Sequence, residues 1–213
     1  MKVNKQLGKR FYQRLLVLSL GAIMLVATGC AATSSTNETN RATTVTNTIN
    51  QQDKFEMKTK SLFINTSRDP QGNTAKMGDT FFGDVPHDTL FLNNYKVYQL
   101  GQEFPDDQFN IVYDAMKQAD IIVIGTPVYW HTMSGGLKTL IDRMYELPYP
   151  DPNLEGKQLY FLMQGMNPSA ETREQLPYTM TRVAKRYGME YMGAARDAIE
   201  LPILQKTLFE QVK

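Results

Sequence analysis

Ile121-Ile122-Val123-Ile124-Gly125-Thr126-Pro127-Val128-Tyr129-Trp130 is the stretch on which the fold turns. Four branched apolar residues in succession predict a strand covered on both faces, the pattern of a central strand in a parallel sheet. The run breaks at Gly125-Thr126-Pro127, presents two aromatics, and leads into an amphipathic helix from about Ser134, with Leu137, Leu140, Ile141 and Met144 on one face. Strand, ledge and helix in that order place flat apolar surface at the carboxyl edge of a sheet, where open α/β sheets receive their ligands.

The alternation extends in both directions. Strands are predicted at Ser61–Asn65, Tyr95–Leu100, Ile121–Thr126, Lys157–Met163 and Glu190–Ala195. Helices are predicted at Asn73–Phe82, Asp107–Ala119 (capped by Asp106 or Asp107), Ser134–Leu147, Thr172–Tyr187 with Gly188 as its stop, and Ile203–Val212. Residues 84–94 read as an irregular connection. Five strands with helices between them predict an α/β, three-layer, doubly wound, five-stranded parallel sheet.

The amino-terminal part is different. Residues 1–30 carry Lys2, Lys5, Lys9, Arg10 and Arg14 and no acid, and Leu15 to Ala27 is an apolar run of 13 residues. That is shorter than the roughly 18 residues a spanning helix needs, and it fits the apolar core of a secretory signal. Ala27-Thr28-Gly29-Cys30 resembles a bacterial lipobox, which predicts a lipoprotein signal peptide over 1–30 and lipidation of Cys30. A plain signal peptide and an uncleaved anchor are the alternatives. Residues 31–56 are polar and of low complexity and read as a tether of about 28 Å mean reach. The domain then occupies 57–213. Met57 stands at its start, so a cytosolic form of 157 residues (213 less 56) stays open as well.

Cys30 is the single cysteine, which excludes a disulfide framework and a cysteine metal site. Of 23 basic and 22 acidic residues, five basic ones precede residue 30; the remainder holds 18 against 22, a net charge of −4. A mildly acidic domain without a basic stripe argues against nucleic acid, whose binding rests on phosphate neutralisation. His87 and His131 lie too far apart in sequence to make a metal pair of useful spacing, and no metal site is expected.

Two loops carry chemistry. Thr66-Ser67-Arg68-Asp69-Pro70-Gln71-Gly72-Asn73-Thr74 joins the first strand to the first helix. It offers three hydroxyls, one cation and a bend at Gly72, the composition of a phosphate cradle at a helix start, and equally that of an ordinary turn. It lacks the Gly-Lys-Ser/Thr of a P-loop and the Gly-x-Gly-x-x-Gly of a dinucleotide site. The second loop, Pro127 to Gly136, supplies Val128, Tyr129 and Trp130 as ledge, Thr132 and Ser134 as caps, and His131 as a hydrogen-bond or proton donor. Core packing and a dimer contact are the other uses for Trp130, the single tryptophan. A phosphate cradle and a flat ledge on one edge suit flavin mononucleotide.

The loops also resemble a known family. Thr66-Ser67-Arg68, Gly72-Asn73-Thr74, the run Ala119 to Trp130, and Met133-Ser134-Gly135-Gly136-Leu137-Lys138-Thr139-Leu140-Ile141-Asp142-Arg143 are similar to the flavodoxin-like NAD(P)H-dependent oxidoreductases, the FMN and quinone reductases. The similarity runs from about Lys58 to Arg196. It implies a flavodoxin-like fold and FMN held at its phosphate by Ser67, Arg68, Asn73 and Thr74. It implies ring contacts from Pro127, Val128, Tyr129, Trp130 and Met133, and from the third loop at Gln164-Gly165-Met166. It also implies a homodimer, NAD(P)H as donor and a small acceptor such as a quinone or flavin; the ledge itself suggests Tyr129 and His131 as the residues facing the substrate. Export would place the domain away from NAD(P)H, so a membrane electron donor, an electron carrier without enzymatic activity and a ligand-binding lipoprotein stay open.

Overall fold

The computed structural model describes residues 59–212. The signal segment, Cys30, the tether and Met57 lie outside them. Five parallel strands stand in the order β2-β1-β3-β5-β6: β1 Ser61–Asn65, β2 Asp88–Phe91, β3 Ile121–Tyr129, β5 Gln158–Gln164 and β6 Glu190–Ala195. A two-residue strand, β4 Thr132–Met133, turns back antiparallel on the end of β3. The helices are α1 Asn73–Phe82, α2 Phe109–Gln118, α3 Gly135–Arg143, α4 Ala170–Tyr187 and α5 Leu201–Gln211. No helix among the described residues is long and apolar enough to cross a membrane.

The near-continuous apolar runs have a direct cause. Alternate side chains of one strand enter two different cores. Leu62, Ile64, Ile122, Ile124, Leu159, Phe161 and Met163 pack with α2, α3 and α4. Phe63, Ile121, Val123, Tyr160 and Leu162 pack with α1 and α5. Both faces of the central strands are covered, which is the three-layer arrangement expected.

The clearest departure from the sequence reading is at the second strand. The second strand is Asp88–Phe91, inside the segment read as irregular, and Tyr95–Leu100 is not a strand. β2 is a short edge strand with one buried side chain, Leu90, and so carries almost no periodic signal. The alternation at Tyr95 and Val97 comes from an irregular segment laying those two side chains on the core. That segment is held by Arg143, whose guanidinium donates to Asp107 Oδ2 at 2.6 Å, Asp107 Oδ1 at 3.2 Å and Tyr98 O at 3.1 Å and lies over the Phe109 ring. The pair holds the Asp107 carboxyl below the ordinary carboxylate range.

β3 also runs three residues past the predicted Thr126. β1 pairs with it only as far as Gly125, so Pro127 has no neighbour on that side to miss its N–H. Beyond it, Val128 and Tyr129 pair with Met133 and Thr132 of β4.

Candidate functional site

Three loops converge at the carboxyl edge, following β1, β3 and β5. Asn65, fully buried, ends β1; its Oδ1 accepts from Ser67 N at 2.9 Å, and its Nδ2 has no partner among the described residues. The Ser67 hydroxyl donates to Asp69 O at 2.7 Å, and Gln71 N donates to Asp69 Oδ1 at 2.9 Å. Both Ser67 donors thus shape the loop, which closes on itself ahead of α1. Among the described residues, the N–H groups of Asn73, Thr74 and Ala75 meet no acceptor, as the first turn of a helix requires, and Gly72 provides no side-chain cap. Arg68 is exposed and makes no ion pair among the described residues.

A buried chain of hydroxyls ties this loop to the ledge. Ser134 Oγ accepts from Leu137 N at 3.2 Å, capping α3, and donates to Thr66 Oγ1 at 3.0 Å. Thr66 Oγ1 donates in turn to Gly125 O at 2.9 Å, and Ser134 N donates to Thr126 Oγ1 at 3.1 Å. Gly125 must be a glycine: a Cβ there would stand 2.7 Å from the Phe63 ring and 2.9 Å from Thr74 Cγ2. The third loop approaches as closely. A Cβ on Gly165 would stand 2.9 Å from Val128 Cβ, and Gln164 Nε2 donates to Thr74 Oγ1 at 3.5 Å.

The ledge ends in a two-residue hairpin turn. Trp130 (φ 50°) and His131 (φ 56°) both occupy the left-handed region that a primed turn needs and that residues with a Cβ avoid. Such strain, of order 1–3 kcal/mol per residue, persists where the surroundings hold it. Here the start of α4 holds it: Thr172 Oγ1 donates to His131 O at 2.6 Å and Ser169 N donates to His131 Nδ1 at 3.3 Å. Glu171, in the same turn of α4, is kept below the usual carboxylate range by backbone hydrogen bonding first and then by the Ser169 hydroxyl.

Every residue singled out in the two loops is therefore at this edge, but not every side chain faces outward. Pro127 is buried and Val128 half-buried, whereas Tyr129 and His131 are exposed and Trp130 is 96 % exposed. Met133 sits in the core and offers the edge only its main chain. Thr132 lies in β4, so the cap of α3 is Ser134 alone. Val128, Trp130, His131, Gly165, Met166, Asn167 and Pro168 line a cleft of about 220 Å³. Asn65 and Asn167 were absent from the sequence-derived set; an amide closing an otherwise apolar strand, just before the loop, was the available signal for Asn65.

A five-stranded parallel sheet of this order, with a helix start and an apolar ledge at adjacent carboxyl ends, defines the flavodoxin-like class of mononucleotide-binding proteins. The family of NADPH-dependent FMN reductases matches residues 59–189, more than half of the chain, and the chain belongs to that family. FMN is accordingly its cofactor. The Bacillus subtilis protein YwqN, whose name describes an NAD(P)H-dependent FMN-containing oxidoreductase, is 25 % identical over 120 residues. The match takes in 50 % of this chain and 66 % of YwqN, slightly under two thirds of that relative. The Trp repressor binding protein from Bacillus subtilis superposes with a TM-score of 0.55 at 20 % identity, over 70 % of this chain and 96 % of that one. The NADH:FMN oxidoreductase EMOB in its apo form does so with a TM-score of 0.53 at 17 % identity, over 73 % and 90 %. These two likenesses concern the fold.

The residues present suit FMN. A phosphate ester wants donors without acceptors, and the N–H groups opening α1, the buried Asn65 Nδ2 and the Arg68 guanidinium are such donors. A flat ring wants close backbone approach beside apolar surface, and the meeting of Gly165 with Val128 below Tyr129 and Trp130 provides it.

Proposed function

We propose that the protein is an NAD(P)H-dependent FMN oxidoreductase that reduces a small planar acceptor of the quinone or flavin type. The supporting observation is the joining of phosphate loop and ledge into one buried frame through Thr66, Ser134 and Gly125. FMN, when bound, would supply the redox chemistry of hydride and two-electron transfer. The chain supplies binding and orientation. Arg68, Asn73 and Thr74 hold the phosphate, with Ser67 and Gly72 shaping the loop around it. Pro127 to Trp130, the Met133 main chain, Gln164 and Gly165 hold the ring, and Tyr129 and His131 border the substrate space. A homodimer suits the edge, because Tyr129, Trp130 and Met166 leave apolar surface exposed beside the cleft.

The sequence Ala27-Thr28-Gly29-Cys30 favours a second reading of the setting. Lipidation at Cys30 anchors the domain outside the cytoplasmic membrane, where a membrane donor replaces NAD(P)H or the protein serves as an electron carrier; a product begun at Met57 stays in the cytosol. Mass spectrometry of the native amino terminus separates these forms. The test of the main reading is an absorbance spectrum of the purified full chain with and without FMN, followed by NADPH oxidation in the presence of a quinone. Bound flavin with rapid turnover is the expected result. Bound flavin without turnover leaves a carrier, and absence of flavin binding defeats the reading.

A further inference from the structure

We propose that His131 is a hydrogen-bond donor to the acceptor substrate, fixed as the neutral Nε2–H tautomer by the amino terminus of α4. The proposal rests on the oxidoreductase reading above and names a residue that acts on the acceptor. Ser169 N donates to His131 Nδ1. A backbone N–H can donate only to an unprotonated ring nitrogen, so the proton of the neutral ring resides on Nε2. His131 lines the cleft between the ledge and the third loop together with Gly165 and Met166, and Ser169 is not among the residues of that cleft. The remaining ring N–H therefore belongs to an exposed side chain bordering the space where an acceptor lies against the ring.

The backbone shows the same commitment. His131 stands at φ 56°, a conformation asparagine or glycine would adopt at less cost, and Thr172 Oγ1 locks its carbonyl at 2.6 Å. Two contacts from one helix turn hold both the main chain and the ring of a residue whose conformation is intrinsically unfavourable. Reduction of a quinone by NAD(P)H consumes one hydride from the nicotinamide and one proton from solvent, giving the hydroquinone and NAD(P)+. His131 transfers no proton in this scheme, since a neutral imidazole giving up its only N–H would become imidazolate. It donates a hydrogen bond to the carbonyl oxygen that gains negative charge, as preorganised donors do at developing oxyanions.

The chain offers an internal reference. It contains two histidines, and in the other, His87, Nδ1 lies 3.0 Å from Val85 O. A carbonyl accepts only, so His87 is the Nδ1–H tautomer. Nitrogen NMR of the histidine rings in the FMN-loaded full chain, at a pH well above the ordinary imidazole pKa of about 6.5, should therefore show opposite tautomers for the two residues. His131→Asn carries the second test. Its amide oxygen can accept from Ser169 N and asparagine tolerates the left-handed turn, but it has no donor at the Nε2 position. We expect stability and FMN affinity to hold within about twofold while kcat/KM for a quinone falls about tenfold or more, the range for a hydrogen bond to a charged oxygen. An Nδ1–H tautomer at His131, or an unchanged kcat/KM in His131→Asn, overturns the proposal while leaving the flavoprotein reading standing. Failure of the wild-type chain to bind FMN overturns both.

Discussion

Replacing Ser134 by alanine tests the claim that phosphate loop and ledge form one unit. The hydroxyl caps α3 through Leu137 N and donates to Thr66 Oγ1, so Ser134→Ala removes both bonds while Ser134 N keeps its bond to Thr126. A lost cap costs about 1 kcal/mol, and a lost buried hydrogen bond about 1 kcal/mol more. The total of about 2 kcal/mol corresponds to a fall of about 4–8 °C in Tm for a domain of about 150 residues. The assay is denaturant unfolding of the FMN-free full chain followed by circular dichroism, with Thr66→Ala and the double variant completing a cycle. Because the two side chains touch, the double variant should be less destabilised than the sum of the singles, by about 0.5–1 kcal/mol. FMN affinity should fall in both singles, since each frees one loop from the other. A Ser134→Ala loss below about 0.5 kcal/mol, or strict additivity in the cycle, would refute the shared frame.

Gly125→Ala places a methyl against Phe63 and Thr74 and should cost about 1–3 kcal/mol by overpacking; the same unfolding assay checks it, and displacement of Thr74 should weaken FMN binding in a fluorescence titration. The Asp107 carboxyl lies below its unfolded pKa because of Arg143, so its contribution is present above about pH 4 and is lost as pH falls through the depressed folded value. Asp107→Asn should flatten the acid limb of the stability profile relative to wild type. Trp130, the single tryptophan, is exposed on the ledge, so saturating FMN should quench its fluorescence, and emission unaffected by bound FMN would remove the ring from that ledge. Arg68→Ala should weaken FMN binding with stability unchanged within about 0.5 kcal/mol, as measured by flavin release and thermal unfolding.

Legibility in the sequence followed the number of buried neighbours. β3 and β5 are covered on both faces, their apolar runs are nearly unbroken, and the expected strands fall on them. β2 buries Leu90 alone and carries no comparable signal, while Tyr95 and Val97 imitate a strand from an irregular segment. The position of the two loops at the carboxyl edge was readable because strand, loop and helix succeed one another within a few residues. The frame joining them was not. Thr66 and Ser134 are 68 residues apart, and nothing local marks their hydroxyls as partners. The hairpin turn was equally hidden, since Trp130-His131 has none of the glycine or asparagine that announces a primed turn.

That hidden turn points to a division within the site. Thr66, Thr126 and Ser134 are buried and bonded to one another, whereas Arg68, Trp130, His131 and Met166 are exposed, with Met166 fully so. Substitution in the first set disturbs the frame and must alter stability and cofactor affinity together. Substitution in the second set removes little packing and should alter binding or turnover with stability nearly constant. His131 crosses the division: its backbone and Nδ1 belong to the frame through Thr172 and Ser169, and its remaining ring nitrogen belongs to the rim. A glycine at this position would relieve the backbone strain and delete the ring. His131→Gly should therefore hold or raise Tm while lowering turnover with a quinone, opposite directions that a purely structural histidine could not produce. A fall in both quantities would place His131 wholly within the frame.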